Sequence, residues 1–163
     1  MSKERERFYT VRGYELLSKD ANLLTPSMED YLEMVYRLSR DKGYTRISDL
    51  ASALNVQPPS ATNMVQKLSE TPYLKYERYG LVKLTESGEE VGKYLLKRHE
   101  ILEEFLRIIG VEEGILQETE KIEHNVSPGT MEKIIVLVHF FKENPDCQRA
   151  FHVFQKQCLP GSD

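Results

Sequence analysis

Three short runs place acids and imidazoles at helical spacing beside apolar residues: Met28–Glu33 (MEDYLE), Arg98-His99, and Glu120–His124 (EKIEH). Asp30 and Glu33 are three residues apart, so they share one face of a helix. Glu120, Glu123 and His124 are related by steps of three and four and share another. Carboxylate oxygens together with imidazole suit a divalent metal ion. Each run alone also fits a plainer role. Acids at Asp30 and Glu33 suit a solvated helix start, where the helix dipole favours negative charge. Glu120 and Glu123 fit a charged surface. His99, on a stripe with Leu95, Leu102 and Leu106, fits a core-edge histidine. The metal reading therefore rests on all three runs acting together.

The elements that must position them follow from periodicity. Thr25-Pro26-Ser27 marks a helix start, with Ser27 the expected N-cap, and Tyr31, Met34, Val35 and Leu38 carry the apolar stripe to about Arg40. Ile47, Leu50, Ala51 and Leu54 follow the i, i+3, i+4, i+7 rule, and Ala61, Met64, Val65 and Leu68 repeat it. Between them Asn55 and Val56 supply a tight turn, and Pro58 and Pro59 open the second helix where a missing N–H costs little. Two short helices so joined form a helix-turn-helix. Tyr73–Tyr76 and Leu81–Leu84 read as strands of a β-hairpin wing around Arg78-Tyr79-Gly80, with Tyr76 and Tyr79 suited to wing packing or to contacts with a nucleic-acid backbone, packing being preferred. Thr85 and Ser87 are candidate caps of a long helix, Ser87 in a capping box with Glu90, and Gly110 closes that helix. Shorter helices follow at about 113–124 and 128–143; Asn144-Pro145-Asp146 then breaks the helix, and a final helix runs to about Gln157. The run Ile134–Phe141 (IIVLVHFF) is apolar nearly all round, which suits burial at a dimer interface.

The chain has 163 residues and a net charge of −4, which does not by itself favour a nucleic-acid partner. The distribution changes that reading. Within 42–84, Lys42, Arg46, Lys67, Lys75, Arg78 and Lys83 outnumber Asp49, Glu70 and Glu77. Within 100–126, eight glutamates face only Arg107 and Lys121. The first block suits phosphates and the second suits cations. Polar residues left over on the second short helix (Gln57, Ser60, Thr62, Asn63, Gln66 and Lys67) can hydrogen-bond to base edges and phosphates. No apolar run is long enough to span a membrane and no signal peptide is recognisable, so a cytoplasmic location is expected. Cys147 and Cys158 are too far apart for a CxxC pair and read as spectator thiols. His139 and His152 read as structural or exposed.

In this order, the segments TPSMEDYLEMVY, KGYTRISDLASAL, MVQKL, GLVKLT, RHEILEEFLRIIGV and IEH resemble the diphtheria-toxin-repressor family of metal-dependent regulators, in its manganese transport branch. The resemblance covers about residues 25–143. It implies a mainly α chain: an N-terminal winged helix-turn-helix domain followed by an all-helical metal-binding and dimerisation domain. The divisions expected are an N-terminal extension at 1–24, the DNA-binding domain at 25–85, a connecting long helix at 86–110 and the dimerisation domain at 111–163. It implies Asp30, Glu33, His99, Glu120, Glu123 and His124 as ligands, with Glu33 and Glu123 bridging two ions. It places Gln57, Pro59 and Asn63 against bases, and Thr62, Lys67 and Arg78 are expected on phosphates. Iron-responsive relatives carry sulfur at the places of Asp30 and Glu120. Carboxylates at both favour a hard ion such as Mn²⁺, although Fe²⁺, Co²⁺, Cd²⁺ or Zn²⁺ can bind in vitro.

Two departures stand out. The chain ends too early for the SH3-like domain of larger members, and its leader exceeds what short members need, as an added contact arm would. The function implied is metal-dependent repression of metal-uptake genes by a homodimer on double-stranded operator DNA, with no enzyme activity, organic cofactor or membrane partner. Two alternatives are a manganese-dependent hydrolase, which lacks a separate general-base motif here, and a winged-helix regulator answering an organic ligand.

Overall fold

The computed structural model describes residues 13–19 and 23–159, which fall into two compact units divided between Lys97 and Arg98. The first unit contains α1 (residues 13–19), α2 (Pro26–Ser39), β1 (Thr45–Arg46), α3 (Ile47–Ala53), α4 (Pro58–Ser69), β2 (Leu74–Glu77), β3 (Leu81–Leu84) and the first part of α5 (Glu86–Ile108). The second contains the rest of α5, then α6 (Ile115–Glu123), α7 (Pro128–Glu143) and α8 (Pro145–Cys158). Helices dominate in both, as the periodicity predicts.

In the first unit the apolar stripes converge on one core. Leu32 and Val35 of α2, Leu50 of α3, Ala61, Val65 and Leu68 of α4, Val82 of β3, and Val91 and Leu95 of α5 have no exposed surface. The strands form an antiparallel sheet in the order β1-β3-β2, with Tyr76 opposite Val82 and Thr45 opposite Val82 on its other edge. The two-residue β1 escapes sequence reading because it is too short to show alternation. Asn55 adopts the left-handed conformation (φ 53°) that its side chain tolerates, turning α3 into α4.

Two caps differ from expectation. Pro26 occupies the first turn of α2, so the cap moves back to Thr25, whose hydroxyl oxygen accepts from Met28 N at 3.3 Å; Ser27 lies inside the helix. At α5 Thr85 caps, accepting from Gly88 N at 3.0 Å, and Ser87 sits in the first turn without the expected capping-box geometry. The described part of the leader is a packed helix rather than a projecting arm: Tyr14, Leu16 and Leu17 of α1 lie against the core. The remainder of the expected extension, 1–12 and 20–22, lies outside the described residues.

The second unit is built on Ile101, Leu102, Ile108, Met131 and Val138. Gly110 (φ 90°) ends α5 in a Schellman motif, with Val111 N donating to Leu106 O and Gly110 N to Arg107 O. His152 Nε2 and Gln155 Nε2, both on α8, take the next carbonyls, Ile108 O at 2.8 Å and Ile109 O at 2.6 Å. His152 is thus structural. On α7, Val138 is buried, whereas Val136 and Phe140 are exposed, so the apolar run has one face on the core and another open.

Glycine contacts give a paired test of this packing. A Cβ at Gly88 would stand 1.9 Å from Tyr73 O, whereas one at Gly129, in the first turn of α7, would meet nothing within 4 Å. Gly88→Ala is expected to lower the unfolding free energy by about 1–3 kcal/mol. Gly129→Ala is expected to raise it by about 0.4–1 kcal/mol. Urea denaturation followed by circular dichroism measures both.

Candidate metal centre and nucleic-acid interface

The first unit contributes two of the expected ligands from one helix face. Asp30 and Glu33 both lie on α2. Glu33 is 8% exposed, and its Oε1 accepts from Arg37 Nη2, one turn further on, at 2.5 Å. A buried carboxylate is costly unless charge or hydrogen bonds compensate it, and the guanidinium supplies both.

In the second unit α5 positions His99, α6 positions Glu120 and Glu123, and His124 is the residue that ends α6. His99 Nδ1 stands 2.9 Å from Glu123 Oε2, and Glu123 is only 3% exposed. His124 Nε2 lies 3.8 Å from the other oxygen of Glu123. Arg98 Nη2 donates to His124 Nδ1 at 3.3 Å. His99, Glu123 and His124 are therefore gathered into one cluster. Glu120 is not: it sits on the exposed side of α6.

One member of the cluster was not read from sequence. His99 Nε2 faces Glu103 Oε1 at 3.3 Å, and Glu103 also accepts from Arg107 Nη2 at 3.3 Å. A carboxylate i+4 from a histidine is the one signal that points to it, and it is easily read as an ordinary helix ion pair. With the Nε2 hydrogen donated to Glu103, His99 presents its Nδ1 lone pair on the Glu123 side. Two donors bound to one ion at roughly 2.1 Å each stand about 3 Å apart. The Nδ1–Oε2 separation of 2.9 Å fits such an ion. The donors are nitrogen and oxygen only, and both cysteines lie exposed on α8, consistent with the spectator reading.

The face expected to meet nucleic acid is that of α4. Ala61, Val65 and Leu68 face the core, which leaves Gln57, Pro59, Ser60, Asn63, Gln66 and Lys67 exposed. Thr62 is half-buried and already bonded within the helix. Its Oγ1 donates to Pro58 O at 3.0 Å, so its proton is already committed and a phosphate would have to compete for it. On the hairpin Arg78 is exposed as expected. Tyr76 packs against the core, but Tyr79 does not: it is 90% exposed, correcting its assignment to packing.

Comparison with known proteins places this geometry in context. A model of the iron dependent repressor N-terminal DNA binding domain matches residues 23–82, and one of the iron dependent repressor metal binding and dimerisation domain matches residues 85–152. The HTH-type transcriptional regulator MntR of Lysinibacillus sphaericus is 49% identical over 134 residues, covering 82% of this chain and 96% of that protein. MntR of Bacillus subtilis is 48% identical over 136 residues, covering 83% and 96%. Among solved structures, the manganese regulator SloR superposes with a TM-score of 0.63 at 27% identity, covering 72% of this chain and 55% of that one. ScaR with bound Zn²⁺ gives 0.57 at 30% identity, covering 69% and 54%.

Proposed function

The chain belongs to the iron dependent repressor family, and on that premise we propose that it is a manganese-responsive transcriptional repressor. The observation that carries the reading is the buried His99–Glu123 pair, 2.9 Å apart, within the stretch matched as a metal-binding domain. The relatives are named as transcriptional regulators rather than enzymes, which leaves the hydrolase alternative without support. No observation favours an organic effector over a metal.

The proposed ligands are Asp30, Glu33, His99, Glu120, Glu123 and His124, with Glu33 and Glu123 bridging two ions. Support comes from donor chemistry: six oxygen or nitrogen groups and no sulfur, a set that suits Mn²⁺. SloR, a relative in fold, is titled a manganese regulator. Zn²⁺ stands above Mn²⁺ in intrinsic affinity, so Fe²⁺, Co²⁺, Cd²⁺ and Zn²⁺ remain competitors in vitro, and coordination geometry sets the choice. Glu103 is proposed as the group that orients His99, as carboxylates commonly do for metal-bound histidine. Rotation of the Glu120 side chain from the surface of α6 would complete the set.

Four carboxylates (Asp30, Glu33, Glu120 and Glu123) repel one another, which disfavours bringing their helices together. A bound cation supplies the opposing charge and directional coordination. The arrangement with all ligands together then becomes the favoured population. In that arrangement α4 enters the major groove, with Gln57, Pro59 and Asn63 at base edges, Ser60 and Gln66 beside them, and Lys67 and Arg78 on phosphates. Operator binding proceeds as a homodimer, with recognition helices about 34 Å apart. The open apolar face of α7, at Val136, Leu137 and Phe140, is the surface offered to the second copy. The output is repression of metal-uptake genes when Mn²⁺ is plentiful. No helix among the described residues is long and apolar enough to cross a membrane, and a DNA target places the protein in the cytoplasm.

Two outcomes are expected. Glu33→Ala removes a bridging ligand and should reduce Mn²⁺-dependent operator binding at least about tenfold in a mobility-shift assay, the lower end of what second-shell losses alone cause. Intact Mn²⁺-dependent binding by that variant would refute the mechanism. Glu103→Ala should weaken Mn²⁺ affinity about 10–100-fold by isothermal titration calorimetry. The metal-free thermal midpoint should change little, because Glu103 is partly exposed.

A further inference from the structure

The tip of the β2–β3 hairpin holds a large aromatic where neither burial nor backbone preference favours one. Tyr79 is 90% exposed and has φ 65°, a left-handed conformation that bulky residues rarely adopt. Gly80, which follows, is also left-handed (φ 71°) and suits the position without cost. Glycine or asparagine at 79 would satisfy the turn better. Tyrosine there is unfavourable to the fold and needs another use.

Its surroundings indicate what that use is. Arg46, on β1, donates from Nη1 to Tyr79 O at 3.4 Å, tying the tip to the edge strand where Arg46 pairs with Leu81. Arg78 and Lys75 are exposed on the same hairpin. The acid there, Glu77, is neutralised by Lys83 at 3.0 Å. The tip is thus an exposed phenol among cations. It is also held in the same body as the recognition helix, because β2 packs against α4. Strands of four residues carry the tip roughly 13 Å from the hairpin root. That length is comparable to the width of the major groove, about 12 Å, so a tip beside a groove-bound helix reaches past the groove wall.

We propose that Tyr79 is a DNA-contacting residue at the hairpin tip, and that Arg46 is the positioning residue that aims it. The phenol O–H donates to a phosphate oxygen on the flank of the operator, and the ring packs against the adjoining sugar. The contact is independent of base identity and lengthens the footprint beyond the bases read by α4. This proposal rests on the DNA-binding reading given above.

The test uses the full chain loaded with Mn²⁺ and two duplexes. The longer is selected from a random-sequence library with the wild-type protein; the shorter is the same site trimmed of its outer flanks. Wild type is expected to bind the longer duplex about tenfold more tightly, the scale of a hydrogen bond to a charged group. Tyr79→Ala and Tyr79→Gly should lose most of the preference for the longer duplex, the remainder resting on Arg78, and Tyr79→Gly should melt no lower than wild type. Tyr79→Phe should recover the packing part only. Arg46→Met should lose the preference for the longer duplex while keeping the wild-type salt slope; loss of a direct phosphate contact would reduce that slope by about one. A Tyr79→Ala variant that retained the full preference would overturn the proposal while leaving the repressor reading standing. Wild type without any Mn²⁺-stimulated binding would overturn both.

Discussion

A carboxylate that is 3% exposed must have its charge answered, and at Glu123 the group that stands 2.9 Å away is His99 Nδ1, a second electron-pair donor. Much of the second unit serves that pair. The long α5 carries His99 on its buried side, with Leu102 below it in the core. Thr119, fully buried one turn before Glu123, lies on the same inward face of α6, its hydroxyl satisfied by Ile115 O. Side chains from α8 close the far end of α5. With its Nδ1 lone pair facing Glu123 the imidazole brings no positive charge to the acid, whereas a divalent ion between the two donors would. The pair is the centre of the proposed metal site.

The donor set explains the direction of metal choice. Thiolate or thioether in place of Asp30 and Glu120 would strengthen softer ions, and this chain has carboxylates at both positions. Arg37 and Arg98 enter the same account. Each lies on a proposed ligand, Arg37 on Glu33 and Arg98 on His124.

The strongest patterns were legible in sequence because they obey a single period. The stripes of α3 and α4, the proline start of α4, the left-handed Asn55 and the glycine stop of α5 all follow from local rules. The misses share a cause: two rules competed at one position. At Thr25-Pro26-Ser27 both hydroxyls can cap, and the preference of Pro26 for the first turn selects Thr25. Thr85 prevails over Ser87 for a related reason, since Gly88 N reaches back to it. Glu103 looked like helix surface because an acid four residues from a histidine is commonplace. Tyr79, in the turn between the strands, reads as packing because a large aromatic is usually covered, and its exposure reveals otherwise. Glu120 matches the ligand pattern by spacing, yet its side chain lies on the exposed face.

The central claim is that metal occupancy and operator binding are one coupled equilibrium. Coupling in binding free energy is reciprocal. The most direct measurement is therefore Mn²⁺ affinity by isothermal titration calorimetry, with and without saturating operator duplex at one salt concentration. The expected result is that operator tightens Mn²⁺ binding by the same factor that Mn²⁺ tightens operator binding. Equal Mn²⁺ affinity in both conditions would contradict the account.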